Sequence, residues 1–333
     1  MGFSCSAPCK AILFGEHYVV YGSPALSLPI EPRNSVEFSG WEGDGIALKS
    51  SLGNAVILPS GRFEGTGELG IFSAVASAVF GTGRLPQAIV EFSPAWKLKG
   101  VGTSASLCAA FAAGLCQLAG RTAQPEEIFR ASQAGDVVAH GGRASGIDAK
   151  TVSFGKPLIF QRSFSPEKFE GTPADFTLPS RCCLLLVDTN VGKKEGTKKM
   201  LEIFASQFGI AGTPAEAPEE KRKAVREEFA HLWEQIVASM KKPGASELGG
   251  LMGENHALLR ARKMSSVGIE KAVSSALSCG ALGAKLTGGG GEGGAVLALC
   301  KKADAGKVAK GILEETGFPC HTLGIAKKGA CVD

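Results

Sequence analysis

The chain has 333 residues, of which 44% are hydrophobic and 20% charged, and its formal net charge is +4. The small charge excess is spread along the sequence, which argues against nucleic acid or an anionic membrane as a partner. No apolar run reaches the roughly 18 residues of a membrane span, and no signal peptide is recognisable, so we expect a cytoplasmic protein. The first six residues fit a loose myristoylation pattern, which we interpret as a chance match.

The ten cysteines do not predict disulfides or a zinc site. Six of them lie inside apolar stretches, where a free cysteine behaves as a small hydrophobic residue: Cys108, Cys116, Cys182, Cys183, Cys279 and Cys300. The sequence contains no Cys-x-x-Cys pair, and its histidines do not lie near cysteines at zinc-ligand spacing. We therefore expect reduced thiols in the core.

The first half of the chain mixes short apolar runs with small-residue helical segments. Glycine and proline punctuation predicts strands at residues 11–14, 18–21 and 25–28. Apolar spacing predicts helices over residues 71–80, 107–118 and 125–140. Further strands are expected at residues 55–58, 88–92, 151–154 and 158–160.

The second half begins after a polar, proline-containing stretch at residues 163–180, which predicts a domain boundary. We therefore expect one domain over residues 1–175 and another over residues 176–333. The apolar run 182–187 predicts a buried strand, and the polar loop after it opens a helix. Four more helices and three strands are expected, the helices at 219–241, 248–262, 269–279 and 303–316 and the strands at 283–287, 295–299 and 320–326.

The segment Gly100-Val101-Gly102-Thr103-Ser104-Ala105 follows Lys97 and Lys99 and lies directly before a long helical run. Backbone N–H groups at a helix N-terminus bind phosphate, and glycine lets a ligand approach the backbone closely. The two hydroxyl groups suit phosphate or Mg²⁺. Taken alone, a segment of this kind is more typical of a Gly/Ser helix cap that binds no ligand.

Two other stretches are unusual for a protein core. Residues 288–294 are glycine apart from Glu292 and connect two apolar, β-like segments. A dinucleotide-binding fingerprint needs a helix after it, so this run is not a Rossmann site. Glycine weakens strands, so the run indicates close approach to a ligand or to another backbone. Gly15-Glu16-His17 places two ionisable residues in an apolar hairpin, which fits a solvated turn as well as a functional site.

Three stretches taken together, residues 9–22, 100–105 and 285–291, resemble the three motifs of the GHMP kinase superfamily in order and spacing. The turn Ser145-Gly146-Ile147-Asp148 and the pair Asn255-His256 resemble the mevalonate kinases within it most closely. The resemblance implies an α+β fold. The N-terminal domain would contain a left-handed βαβ unit, the C-terminal domain would be ferredoxin-like, and the active site would lie between them.

The same resemblance implies a reaction and a set of site residues. The reaction would be phosphorylation of the 5-hydroxyl of mevalonate by ATP with Mg²⁺, in isoprenoid biosynthesis. Asp148 would act as base beside Lys10, and Ser104 and Asp136 would hold the metal. The residues expected to bind ATP are Lys97, Gly100, Val101, Gly102, Thr103, Ser104, Ala105, Gly288, Gly289 and Gly290. The residues expected to bind the acceptor are Glu16, His17, Arg143, Asp148 and Thr197. Relatives are often dimers, which leaves a homodimer open.

The chain departs from the family pattern at three places. Asp136 stands where the family has Glu, and its spacing to Asp148 is one residue longer than expected. Arg143-Ala144 replaces an Asn-Pro-like pair, so Arg143 is a candidate for contact with substrate or phosphate. Glu292 brings negative charge near the phosphates, which is unfavourable unless it turns away or meets a cation.

Two alternatives stay open at this point. One is another GHMP small-molecule kinase, such as a phosphomevalonate or sugar kinase. The other is a catalytically silent nucleotide-binding regulator on the same scaffold. Retention of both Lys10 and Asp148 argues against the silent protein.

Overall fold

A computed structural model describes residues 2–65, 67–96, 98, 100–189 and 196–333 of the chain. Within these ranges the strands form two sheets, one of nine strands and one of four. The strands are β1 (Phe3–Phe14), β2 (Ala25–Ser39), β3 (Ile46–Ser50), β4 (Gly53–Ile57), β5 (Phe63–Gly65), β6 (Ala88–Ser93), β7 (Leu158–Phe164), β8 (Glu167–Pro173), β9 (Cys182–Asp188), β10 (Gly283–Thr287), β11 (Ala295–Lys301), β12 (Cys320–Leu323) and β13 (Cys331–Val332).

The helices carry most of the apolar periodicity that the sequence shows. They are α1 (Gly70–Phe80), α2 (Thr103–Leu118), α3 (Pro125–Ala139), α4 (Ile147–Phe154), α5 (Thr197–Gln207), α6 (Glu219–Ser239), α7 (Ala245–Ala261), α8 (Val267–Ser278) and α9 (Ala305–Thr316). Short 3₁₀ helices cover Tyr18–Tyr21 and Gly67–Leu69. None of the helices in the described ranges has both the length and the apolar character needed to cross a bilayer.

The two sheets differ in topology. The larger has the order β13-β1-β2-β6-β3-β4-β5, with β7 also paired to β2 and β8 to β7, and its β3–β6 pair is parallel. The smaller has the order β10-β11-β9-β12, and all its pairs are antiparallel. With α5 to α8 between β9 and β10, and α9 between β11 and β12, this is the order of a ferredoxin-like sheet. The predicted α+β class is confirmed.

Strand β1 belongs to two hydrophobic cores. Cys5 and Ala7 pack with α1, α2 and the larger sheet, whereas Ala11 and Leu13 pack with the smaller sheet and its helices. The Oγ1 of Thr287 at the end of β10 accepts a hydrogen bond from the N–H of Ile12 (3.2 Å) and donates one to its carbonyl (3.0 Å). One strand therefore connects the two sheets, and the site lies beside it.

Two local predictions are wrong. The expected strand at 18–21 is a 3₁₀ helix, because left-handed residues at His17 (φ 61°) and Gly22 (φ 93°) reverse the chain on both sides. The expected strand at 151–154 is the second half of α4, which begins after Gly146 (φ 93°) and has the Thr151 hydroxyl donating to the Ile147 carbonyl (2.7 Å). The polar stretch 163–180 contains β8, which pairs along its whole length with β7.

Candidate active site

A lysine and an aspartate from distant parts of the chain meet beside the N-terminus of α2. The Nζ of Lys10 in β1 lies 3.0 Å from the Oδ1 of Asp148 in the first turn of α4. The Lys10 side chain is 3% exposed and that of Asp148 is 20% exposed. The ion pair is therefore shielded on the lysine side and open on the aspartate side.

The first glycine loop packs directly on this ion pair. The Lys10 N–H donates to the Val101 carbonyl (2.8 Å), and its Nζ donates to the Gly100 carbonyl (3.3 Å). Gly102 has φ +71°, and a Cβ there would lie only 2.8 Å from Lys10 Cγ. Because no side chain separates the backbone from Lys10, the start of α2 reaches the reacting groups, and Ser104 in its first turn is exposed.

The second glycine loop touches the first. A Cβ on Gly288 (φ +73°) would lie 2.6 Å from the Gly100 carbonyl oxygen. A Cβ on Gly289 would lie 2.9 Å from Thr197 Oγ1, at the N-terminus of α5. A side chain at Gly288 would separate the two loops, and one at Gly289 would press on the start of α5.

These elements enclose a cavity of about 520 Å³, a volume in the range of ligand sites. The predicted site residues that line it are Lys10, His17, Gly100, Gly102, Thr103, Ser104, Ala105, Asp136, Arg143, Asp148, Thr197, Gly288, Gly289 and Gly290. The Val101 side chain is buried away from it, so this residue contributes through its backbone. Lys97 lies outside the described residues.

His17 faces the cavity as a neutral ring. Its Nε2 is 3.1 Å from the Gly289 carbonyl oxygen, which can only accept, so Nε2 carries the proton. Burial lowers the pKa of His17 to about 4. The other ring nitrogen, Nδ1, is therefore a hydrogen-bond acceptor, and it is buried without a partner. A ligand hydroxyl would satisfy it.

Glu16, the neighbour of His17, does not reach the cavity. Its carboxylate forms an ion pair with Lys285 Nζ, and both side chains are 0% exposed. Lys285 also donates to the Leu286 carbonyl (2.6 Å). Burial raises the pKa of Glu16 and lowers that of Lys285, and the mutual attraction of the two charges opposes both shifts. The prediction that Glu16 contacts the acceptor needs correction, because its carboxylate is bound to a lysine behind the cavity wall.

Comparisons with known proteins agree with this geometry. The family profile described as "GHMP kinases C terminal" matches residues 236–317. Mevalonate kinase from Aeropyrum pernix is 29% identical over 98% of this chain and 96% of its own. Among solved structures, the Methanococcus jannaschii mevalonate kinase has a TM-score of 0.78 at 20% identity, covering 98% of this chain and 99% of its own.

A mevalonate kinase from L. major in complex with R-mevalonate has a TM-score of 0.73 at 24% identity, over 97% of this chain and 96% of that one. These matches confirm the predicted resemblance to the GHMP kinase superfamily. The predicted resemblance to its mevalonate kinase members is confirmed, and so is the reaction class, ATP-dependent phosphoryl transfer to a small molecule.

The cavity wall contains a carboxylate–histidine pair that sequence reasoning found only in part. The Asp136 side chain is 4% exposed, and its Oδ1 lies 3.2 Å from His140 Nδ1. Burial acts to lower the pKa of His140, but the charges and hydrogen bonds of Asp136, with Asp148 nearby, outweigh it and raise the pKa to about 9. His140 is therefore a cation at neutral pH. Its spacing of four residues from Asp136, on one face of α3, is the signal that could have identified it.

The residues expected to hold a metal have side chains suited to that role. Asp136 Oδ1 is buried, and its close polar neighbour is His140 Nδ1 at 3.2 Å. The Ser104 hydroxyl is exposed to the same cavity. Proteins usually bind Mg²⁺ through oxygen ligands, with one or two carboxylates acting together with the phosphates of the substrate. Glu292 also lines the cavity.

Proposed function

We propose that this chain is a mevalonate kinase that transfers the γ-phosphoryl group of ATP to the 5-hydroxyl of mevalonate, as a step of isoprenoid biosynthesis. The observation that carries the proposal is the Lys10–Asp148 pair at the point where the two glycine loops touch. The curated relatives named mevalonate kinase, which match almost the whole chain at 27–29% identity, support mevalonate as the acceptor.

Asp148 and Lys10 would act together on the acceptor hydroxyl. Asp148 Oδ1 is held by Lys10, which leaves Oδ2 to accept the hydroxyl proton as the bond to phosphorus forms. The buried ammonium of Lys10 stays beside the transferred group and offsets its negative charge. This arrangement needs no covalent nucleophile, because phosphoryl transfer depends on in-line positioning and charge stabilisation.

The phosphates of ATP would lie between the glycine loops. We assign their binding to the backbone of residues 100–105, at the positive end of α2, and to Gly288, Gly289 and Gly290. Lys97 stays a predicted contributor. His17, Arg143 and Thr197, which all line the cavity, would bind the acceptor.

Ser104 and Asp136 would hold Mg²⁺, whose contribution in such kinases is to neutralise charge on the phosphates. We expect excess EDTA to abolish turnover and added Mg²⁺ to restore it. An Asp136→Asn variant should need about tenfold more Mg²⁺ for half its maximal rate, since it loses one charged ligand. Undiminished turnover in chelator would contradict the metal assignment.

The test of the proposed function is a coupled ATPase and product assay with mevalonate, phosphomevalonate and a set of sugars. We expect turnover with mevalonate alone, and Asp148→Asn should lower kcat by about 10³-fold while leaving ATP binding unchanged. The exposed Asp175→Asn is the matched control and should keep the wild-type rate.

Other outcomes of this assay select the alternatives. Turnover of phosphomevalonate or a sugar in place of mevalonate would make the chain a different GHMP small-molecule kinase. ATP binding without any turnover would make it a silent regulator. The division into domains 1–175 and 176–333, a homodimer and a cytoplasmic location stay predictions, and light scattering of the purified chain tests the homodimer.

A further inference from the structure

Strand β10 is the outer strand of the smaller sheet, and it leads directly into the second glycine loop. An outer strand leaves one row of backbone N–H and C=O groups without a neighbouring strand. At Leu286 side chains take over this role: the N–H donates to His256 Nδ1 (3.3 Å), and the carbonyl accepts from Lys285 Nζ (2.6 Å). Leu286 is 0% exposed, so either backbone group would be costly to leave unpaired.

His256 makes this contact as a neutral ring. Its Nδ1 accepts the Leu286 N–H, so the ring proton is on Nε2, which donates to Glu270 Oε1 (3.1 Å). The ring is buried, and burial lowers the pKa of His256, although the charge of Glu270 acts in the opposite direction. Glu270 in α8 therefore selects the tautomer that His256 in α7 needs in order to bind Leu286.

The same pair of helices also holds the far end of the second glycine loop. The Gly291 N–H donates to the Met264 carbonyl (2.9 Å), in the turn between α7 and α8. A Cβ on Gly290 would lie 2.2 Å from that carbonyl oxygen, so the loop packs directly on the turn. Ser265, the next residue of the turn, donates its hydroxyl to Glu270. Glu270 thus contacts both the histidine at the start of the loop and the turn at its end.

We infer that His256 is a positioning residue for the second glycine loop: its neutral ring fixes the end of β10, so that the loop stays against Gly100, ready to bind the phosphates of ATP. The inference rests on the proposed function, which assigns phosphate binding to this loop. A Cβ on Gly288 would lie 2.6 Å from the Gly100 carbonyl oxygen, so a small displacement of β10 would open the contact between the two loops. Among the residues described, those that line the cavity do not include His256, which therefore acts through the backbone of Leu286. A loop that is already held in its binding conformation loses less entropy when a ligand binds.

Two substitutions of His256 separate its contact with Leu286 from its contact with Glu270. In asparagine the amide oxygen is bonded to Cγ, as Nδ1 is in histidine, so His256→Asn keeps an acceptor for the Leu286 N–H. In glutamine the amide nitrogen lies one bond further out, as Nε2 does, so His256→Gln keeps a donor for Glu270 but leaves the Leu286 N–H unpaired. Both variants remove the ring, so a role of the ring in packing alone would affect them alike.

The experiment measures the Kd of a non-hydrolysable ATP analogue by calorimetry, and KM for mevalonate by steady-state kinetics, in both variants and in Arg260→Ala. We expect His256→Gln to raise the Kd about tenfold, because the unpaired N–H lets the loop shift, and His256→Asn to stay within about twofold of the wild type. KM for mevalonate should not change in either variant. Arg260 is exposed and contacts the other oxygen of the Glu270 carboxylate (3.5 Å), so Arg260→Ala is the matched control and should keep the wild-type Kd.

Hydrogen exchange of residues 283–291 in the nucleotide-free protein gives a second readout, which does not depend on any reaction. Exchange should be faster than in the wild type in His256→Gln and unchanged in His256→Asn. If His256→Gln does not fold, Glu270→Ala tests the same contact, because the Glu270 side chain is 38% exposed and its removal should be tolerated. That variant loses the partner that fixes the tautomer, so both the Kd and the exchange rate should rise.

The possible results distinguish this inference from the proposed function. A wild-type Kd in a folded His256→Gln or Glu270→Ala variant, an equal rise in His256→Asn and His256→Gln, or a rise confined to KM for mevalonate would overturn the inference alone. A wild type that binds the ATP analogue but does not phosphorylate mevalonate would overturn the proposed acceptor. The Kd and exchange comparisons would still test the role of His256 in that case, because neither needs an acceptor.

Discussion

His17 and Glu16 are adjacent in sequence but have different surroundings. The left-handed backbone at His17 (φ 61°) turns its ring towards the cavity, whereas the Glu16 carboxylate points to Lys285 in the interior. Both residues are ionisable and both belong to the same motif. Their separate roles depend on one backbone dihedral that residue types alone do not reveal.

The buried neutral His17 makes stability depend on pH. Its pKa is lowered from 6.5 to about 4, so the unfolded chain binds more protons between these values and the free energy of unfolding falls as the pH falls from 6.5 to 4. We expect this one group to remove about 3 kcal/mol over that window. Urea unfolding of the wild type and of His17→Asn, at pH 7 and pH 4.5, measures the difference.

Asn tolerates the left-handed backbone of residue 17 and cannot titrate, so His17→Asn should show a shallower pH dependence than the wild type. The exposed His231→Asn is the control and should follow the wild type at both pH values. Equal pH slopes in the wild type and His17→Asn would show that His17 is not held neutral.

The buried pair of Glu16 and Lys285 gives a second prediction at the residue scale. Glu16→Gln leaves the Lys285 charge buried without its partner, and we expect it to lower the free energy of unfolding by about 3–5 kcal/mol. The double variant Glu16→Gln, Lys285→Met removes both charges and should be closer to the wild type. A single variant as stable as the wild type would contradict the pairing. Chemical denaturation of the three proteins decides between these outcomes.

The start of α2 connects backbone conformation to catalysis. Gly102 (φ +71°) and Gly120 (φ +72°) lie just before and just beyond this helix and have almost the same dihedral. A Cβ at Gly102 would press against Lys10, whereas a Cβ at Gly120 would have nothing within 4 Å. Alanine variants at these two positions therefore distinguish the stability cost of the left-handed backbone from the effect of a side chain on Lys10.

We expect Gly102→Ala and Gly120→Ala each to lose about 1–2 kcal/mol of stability, because both force alanine into the left-handed region. Only Gly102→Ala should displace Lys10, and its kcat should fall by about 10–100-fold. Thermal unfolding and steady-state kinetics on the two variants measure both effects. If Gly120→Ala had a kcat as low as that of Gly102→Ala, the loss of kcat would result from lower stability and not from displacement of Lys10.

Helix α4 shows how an element was assigned incorrectly from local pattern. Thr151 and Val152 are β-branched and suggested a strand, yet both are buried on a helix that starts at Ile147. The left-handed Gly146 before it and Asp148 in its first turn are helix-start signals, and they prevail because tertiary packing overrides propensity. Placing Asp148 on a helix N-terminus fixes the direction of its side chain towards Lys10.

On the scale of the whole molecule, Thr287 joins the two sheets. Its hydroxyl makes both of its hydrogen bonds to the backbone of Ile12, next to the second glycine loop. Thr287→Val keeps the shape but leaves the buried Ile12 N–H without this acceptor, and we expect a loss of about 1–3 kcal/mol. Thr322→Val on the exposed face of β12 is the control. Its free energy of unfolding should stay within about 0.5 kcal/mol of that of the wild type, as is usual for surface substitutions.

The position of Thr287 also predicts a functional effect. The two hydrogen bonds between the Thr287 hydroxyl and the Ile12 backbone hold β10 next to β1. Without them, the loop that follows β10 should move away from Gly100, and KM for ATP should rise. Denaturation curves and ATP titrations on Thr287→Val test both parts. A variant with wild-type stability and wild-type KM for ATP would show that other contacts hold the sheets together.

The sequence by itself indicated the reaction class, through its resemblance to the GHMP kinases, and the α+β composition. It also singled out most of the predicted site residues that line the cavity, because each lies in a short motif of consecutive residues. It also located most helices and strands, since their apolar periodicity is a property of consecutive residues. Only the tertiary structure decided that Glu16 lies behind the wall, that His140 pairs with Asp136, and that His256 accepts the backbone N–H of Leu286. These facts depend on which distant elements pack together, and burial and charge pairing across such contacts are not encoded in any short stretch of residues.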